Sequence, residues 1–95
     1  MDIEFDPVKD AINIEQHGLS LTDFSKLDFE KGLFAEDDRR SYGECRMRVL
    51  APLDGRLCIA VFTMRGNRFR VISLRKANQR ERRTYANDKT EVTRH

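Results

Sequence analysis

MRGNRFRVISLRKANQRERRTY, residues 64–85, is the stretch whose reading decides the fold. Arg65-Gly66-Asn67 has the composition of a turn. Arg68-Phe69-Arg70-Val71-Ile72-Ser73-Leu74 then alternates as a strand does. Arg75-Lys76 ends the strand and hands over to a polar helix carrying Arg80, Glu81 and Tyr85. A strand that feeds a helix, with cations and one carboxylate at the junction, suits a site that handles phosphates. Strict alternation would put Phe69, Val71 and Ser73 on one face, and Arg68, Arg70, Ile72 and Leu74 on the other. Arg75 would then join the Phe69 face unless the strand has already ended. Two arginines beside Ile72 and Leu74 would be costly on a buried surface, so that face either opens into a groove or holds them at its rim.

Upstream of this stretch the pattern is strand and turn. Leu57-Cys58-Ile59-Ala60-Val61-Phe62-Thr63 is nearly all apolar and reads as the central strand, buried on both faces. Asp54-Gly55 is a two-residue hairpin turn joining it to a strand over Met47 to Leu53. Pro52 argues that this strand is an edge or is near its end. Further back, Glu36 to Glu44 reads as a polar loop or hairpin bend, and Leu33-Phe34-Ala35 could open another strand.

The first third reads as helical after a short start. Ile3 and Phe5 alternate with acidic residues as a brief edge strand. Asp6-Pro7 starts a helix, because Asp accepts from free backbone N–H groups and Pro suits the first helical position. Val8, Ala11 and Ile12 make an apolar stripe at helical spacing, and Gly18 stops the helix just after His17. Ser20 and Asp23 form a capping-box variant for a second helix whose Leu21, Phe24 and Leu27 face inward. The last helix is expected from Lys76 to Asn87, with Ala77, Glu81 and Tyr85 sharing a face. The resulting order is β-α-α-β-β-β-α, an α+β domain with helices packed on an antiparallel sheet. It occupies residues 1–87, followed by a polar tail at 88–95.

Composition narrows the function. At 95 residues the prior is one domain with a small core. No apolar run approaches the roughly 20 residues of a membrane helix. The acidic start lacks the regions of a signal peptide, which points to the cytoplasm. Cys45 and Cys58 lie outside any CxxC pattern and read as free thiols. Residues 1–64 hold 8 Lys/Arg and 13 Asp/Glu, a charge of −5, whereas residues 65–95 hold 10 and 3, a charge of +7. A basic C-terminal third on an acidic body fits either a docked polyanion or acidic partner, or a solvated helix face.

An ordered set of residues carries a family resemblance. It comprises Phe5-Asp6-Pro7 with Lys9 and Asn13, His17-Gly18, Asp38-Arg39, Tyr42-Gly43-Glu44 with Arg46, Leu53-Asp54-Gly55-Arg56, and Val61-Phe62-Thr63 with Arg65. The block Arg70 to Ala77 follows, and Glu81 and Tyr85 close the set. In this the chain resembles BrnT-type toxins of bacterial type II toxin–antitoxin systems. It departs from the family's pattern at Gln16, where a lysine is usual, and over Val49–Pro52, where a glycine is usual. The resemblance implies a RelE/ParE-like fold and a metal-independent ribonuclease, without cofactor, that blocks translation. It also implies a BrnA-type antitoxin partner with a ribbon-helix-helix domain, and an assembly that represses its own promoter DNA.

RNA cleavage without metal needs a base for the 2′-OH, cations for the phosphorane and an acid for the leaving oxygen. The candidate catalytic residues are Arg65, Arg70, Arg75, Glu81 and Tyr85. Lys9, His17, Lys76 and Arg80 are candidate RNA-binding residues. Each has a plainer role. Arg75 binds the scissile phosphate or pairs with Glu81. Glu81 is the base, positions an arginine, or is a solvated helix former. Arg65 and Arg70 contact phosphate or a partner, or pair structurally. Tyr85 stacks on a base, donates a proton, or anchors the helix. His17 caps its helix or serves as an acid. The rival reading is a non-catalytic module that binds an antitoxin and co-represses.

Overall fold

The computed structural model describes residues 1–37 and 45–93, with side chains to residue 88. The chain forms β1 (Ile3–Glu4), α1 (Pro7–His17), two 3₁₀ segments (Leu21–Lys26 and Phe29–Lys31), β2 (Leu33–Asp37), β3 (Arg46–Leu53), β4 (Arg56–Arg65), β5 (Arg68–Lys76) and α2 (Gln79–Thr93). The strands make one five-stranded sheet in the order β1-β5-β4-β3-β2. β1 pairs parallel with β5, and the other pairs are antiparallel. The α+β class and the central place of β4 are as expected. Leu33–Asp37 adds a fifth strand that the expected order lacked. Asp38-Arg39 and Tyr42-Gly43-Glu44 lie outside the described residues.

The turns follow from residues that tolerate positive φ. Asp54 and Gly55 both adopt it, at 50° and 81°. Such a turn matches the twist of the flanking strands and joins β3 to β4. Pro52 sits next to the end of β3, beyond the last residue of that strand paired with β2, so its missing N–H interrupts no ladder.

One face of the sheet holds the main core. Val49, Ala51 and Leu53 of β3, Cys58, Ala60 and Phe62 of β4, and Val71 and Leu74 of β5 pack there with Leu21, Phe24 and Leu27. Phe24 is fully buried, with ring centroids 5.2 to 5.6 Å from Phe29, Phe62 and Phe69. Leu21, Phe24 and Leu27 are spaced by three, the period at which side chains of a 3₁₀ helix eclipse. That spacing explains why the expected second α-helix is a 3₁₀ segment instead. The reciprocal Ser20–Asp23 capping box is present.

The expected strict alternation in β5 fails at one residue. Val61 pairs with Ser73 and Phe62 with Val71, so Ile72 is an extra residue, a β-bulge. The bulge shifts every later side chain to the opposite face. Leu74 therefore joins Phe69 and Val71 in the main core. Arg75 moves to the far face, level with Ile59, Leu50 and Leu33.

Asn13 holds this arrangement. β1 reaches only Phe69 and Arg70, leaving the outer edge of β5 unpaired at Leu74. There the Asn13 side chain takes the place of a strand. Its Nδ2 donates to the carbonyls of Leu74 (2.8 Å) and Leu19 (2.7 Å), and its Oδ1 accepts from the Leu74 N–H (3.2 Å). Asn13 is the buried residue of α1, and the anticipated apolar stripe is not. Val8 is 67% exposed and Ile12 46% exposed.

α2 also departs from expectation at both ends. Lys76 remains in β5, paired with Cys58, and the helix begins at Gln79 and continues to Thr93 rather than stopping at Asn87. Asn78 explains the start. Its Oδ1 accepts from the Glu81 N–H (2.8 Å), and its own N–H donates to Glu81 Oε1 (2.9 Å), a reciprocal cap.

Replacing Asn13 with Ala strands buried backbone groups at Leu74, so the expected loss is roughly 2–4 kcal/mol. Urea unfolding measures it, and amide exchange at Leu74 should accelerate. A cost below about 0.5 kcal/mol, the level of an ordinary surface change, would show that the clamp is not needed.

Candidate functional site

The face of the sheet opposite the main core carries a second, smaller cluster. Leu50, Ile59 and Ala77 are buried there, with Leu33, Leu57 and Tyr85 packed against them. α2 lies over this cluster. Beside it opens a cleft of about 540 Å³, lined by Arg48 and Leu50 of β3, Ile59 of β4, Arg75 of β5, residues of β2, and Asn78, Arg80, Glu81, Thr84 and Asp88. Arg80, Thr84 and Asp88 recur at every fourth position, so they form one stripe of α2 along the cleft.

Arg75 and Glu81 meet in this cleft. Nη1 and Nη2 of Arg75 donate to Oε1 and Oε2 of Glu81, both at 2.8 Å. This is the fork-to-fork geometry in which a guanidinium binds a carboxylate most strongly. Arg75 Nη1 also donates to the Lys76 carbonyl (3.2 Å). Glu81 thus joins strand to helix twice, through Arg75 and through the backbone of Asn78. The bonds from Arg75 hold its carboxyl below the usual carboxylate range, against the opposing effect of burial, and the positive charge of Arg48 contributes in the same direction. A carboxylate held so firmly ionised is a weak proton acceptor at neutral pH and a good positioning group.

Tyr85 has the anchoring role. Its hydroxyl donates to the Lys31 carbonyl at 2.6 Å, pinning α2 to the 3₁₀ segment before β2. Burial, with the Asp28 carboxylate, pushes the phenol above its ordinary value. Its proton is therefore held rather than offered.

The other candidates lie apart from the cleft. Arg70 stands at the opposite edge of the sheet, where Nη1 lies 3.6 Å from Glu4 Oε2. Arg65 is at the end of β4, opposite Arg68 across the hairpin. Lys76 pairs with Cys58, a core position, so its side chain leaves on the face away from Arg75. Lys9 and His17 belong to α1, and neither lines the cleft. Of the nine residues singled out from the sequence, Arg75, Arg80 and Glu81 are brought together in the cleft, and Tyr85 anchors the helix beside it. Arg48 is the cleft residue that the sequence reading missed. Its place inside a mostly apolar strand, between Met47 and Val49, was the available signal.

Two measurements follow. Because the folded pKa of Glu81 is depressed, its contribution to stability is complete above the unfolded value and lost as pH falls through the folded one. The pair is partly solvated, its side chains 34% and 20% exposed, so the expected cost of Glu81→Gln at pH 7 is only about 1 kcal/mol. Denaturant unfolding of both proteins at several pH values should show the gap closing in acid; a gap independent of pH would contradict the assignment. Tyr85→Phe should cost about 1 kcal/mol, the worth of one hydrogen bond. Thermal unfolding would register this, and an unchanged midpoint would remove Tyr85 as an anchor.

A search of the curated proteins found no match. The family model described as the ribonuclease toxin, BrnT, of type II toxin–antitoxin systems matches residues 5–81. That span begins at the residue before the α1 cap and ends on Glu81, so it takes in β2 to β5 and the strand-to-helix junction. The chain therefore belongs to the BrnT family of ribonuclease toxins, whose type II systems supply a protein antitoxin as partner.

Proposed function

We propose that the chain is a metal-independent endoribonuclease that cleaves RNA within the cleft beside α2 and so inhibits translation. The observation carrying this reading is the Arg75–Glu81 pair, set in a cleft that Arg80 also lines. Cleavage by the 2′-OH passes through a phosphorane with added negative charge. A preorganised guanidinium stabilises that charge without reorganising at the moment of reaction. Glu81 serves as the positioning residue that fixes the Arg75 fork, and Arg80 supplies a second cation from the first turn of α2. Arg65, Arg70, Lys9, His17 and Lys76 fit contacts to flanking RNA or to a partner.

The remaining parts of the proposal concern assembly. The partner is a ribbon-helix-helix antitoxin of the BrnA type, and the complex represses its own promoter and works in the cytoplasm. The exposed Val8 and Ile12 share one face of α1 and offer a protein partner apolar surface. Among the described residues, no helix is long and apolar enough to cross a membrane. The five-stranded sheet, with its central antiparallel hairpins, is compatible with a RelE/ParE-like ancestry.

The rival, a binding module without catalysis, draws on the same lock. Both Glu81 and Tyr85 are committed to structural bonds, which leaves few groups for proton transfer. One assay separates the two. Purified chain is incubated with single-stranded RNA in excess EDTA, and internal fragments ending in 2′,3′-cyclic phosphate are sought. Cleavage by the wild type, reduced about 10²- to 10³-fold by Arg75→Ala, is the expected result. Intact RNA at high protein concentration would favour the binding module.

A further inference from the structure

Arg48 is unusual among the cationic side chains around the cleft. It is half-buried, and it makes neither a hydrogen bond nor an ion pair with any described residue. Its neighbours across the sheet are Ala35 and Val61, which offer no side-chain acceptor. Glu81 lies near enough to feel its charge. Both Glu81 oxygens are already taken by Arg75, and one also by the Asn78 N–H. A guanidinium has five N–H donors in a rigid plane, and those of Arg48 meet the water of the cleft rather than a protein acceptor. A side chain in that condition, in a cleft, suits a ligand that brings acceptors with it.

Charge selects the ligand. The described ionisable residues lining the cleft are Arg48, Arg75 and Arg80 against Glu81 and Asp88. The Arg75–Glu81 pair cancels internally, and Asp88 offsets one of the two remaining arginines, so the cleft has room for one negative charge. A phosphodiester carries one, and its two non-bridging oxygens match the guanidinium fork. Arg46 and Arg70 lie one row farther along the same face, level with Thr63, but Asp37 stands opposite Arg46 and Glu4 beside Arg70, so that row adds no net charge.

We propose that Arg48 is a substrate-binding residue that takes a phosphodiester of single-stranded RNA in bidentate fashion, opposite the Arg75–Glu81 pair. The assignment rests on the RNA-cleavage reading above and adds to it the residue that holds the strand. Arg48 delivers the strand to the cleft from β3, while α2 contributes Arg80 to its lining.

The test uses a single-stranded 2′-O-methyl RNA oligonucleotide, which lacks the attacking hydroxyl and therefore reports binding without cleavage. Its affinity for the full chain is followed by fluorescence anisotropy over a series of salt concentrations. Arg48→Ala should weaken binding about tenfold and flatten the dependence of log K on log salt by about 0.7, the share of one phosphate contact on a single strand. Arg48→Lys keeps the charge and loses the fork, so it should restore the salt slope but not the full affinity. The unfolding midpoint of each variant reports whether the fold survives. Should the wild type bind while Arg48→Ala binds equally well with the same slope, the assignment of Arg48 is overturned and the RNA reading stands. Should the wild type bind no RNA at all, both fall.

Discussion

Which face of the sheet Arg75 occupies is set by one extra residue in β5. With Ile72 bulged out, Leu74 enters the main core and Arg75 leaves it. Without the bulge, Arg75 would fall on the Phe69 face, level with Cys58 where Lys76 now stands, and Leu74 would face the cleft level with Ile59. Ser73 would then take the core place opposite Ala60 that Leu74 fills, and burying its hydroxyl there without a partner would be unfavourable. Asn13 holds the strand just past the bulge. Among the described residues no strand flanks the outer edge of β5 beyond Arg70, and a side chain from α1 supplies the acceptor and donor that Leu74 would otherwise lack. A residue in the first helix thus holds the backbone of a residue more than sixty positions later, through ordinary hydrogen bonding.

The junction between β5 and α2 concentrates its interactions on Glu81. That carboxylate receives the Arg75 fork and the Asn78 N–H, while its own N–H is capped by the Asn78 side chain. The arrangement ends the strand, starts the helix and orients a guanidinium in a single step. It also ties stability to function. Glu81 cannot leave Arg75 to accept a proton without loosening the helix start, so the chemistry open to this cleft is electrostatic before it is acid–base. Tyr85 closes the other end of the contact by holding α2 to Lys31.

Much of this was legible in the sequence, and the residues show why the rest was not. The central strand, both hairpin turns and the α1 caps follow from apolar runs and from residues that tolerate positive φ. These are local causes, and a local pattern displays them. The bulge at Ile72 shows only in the register between β4 and β5, which the alternating run itself does not display. The apolar residues of α1 misled for a related reason. Val8 and Ile12 have helical spacing, but the contact that seats α1 is made by a polar side chain. The spacing of Leu21, Phe24 and Leu27 was read correctly as inward-facing, yet a period of three belongs to the tighter helix. At the site, Arg75 with Glu81 was visible as a pairing because the two flank a strand-to-helix turn. Arg48 was not, because only the register between β3 and β4 brings it level with Ser73, across from α2.

A chain of this size has apolar material for one substantial core, and the phenylalanines place that core on one face of the sheet. The other face has a partial roof. α2 carries little apolar surface beyond Tyr85, and its cluster stops at Leu33, Leu50, Leu57 and Ile59. The next rows of that face hold Arg48, then Arg46 and Arg70. The cleft lies where the roof gives out and the charges begin. A longer apolar helix would cover those rows and add stability, and it would close the groove. The weakly apolar composition of α2, which looks like poor design for a stable domain, is what leaves the cleft open beside Arg48.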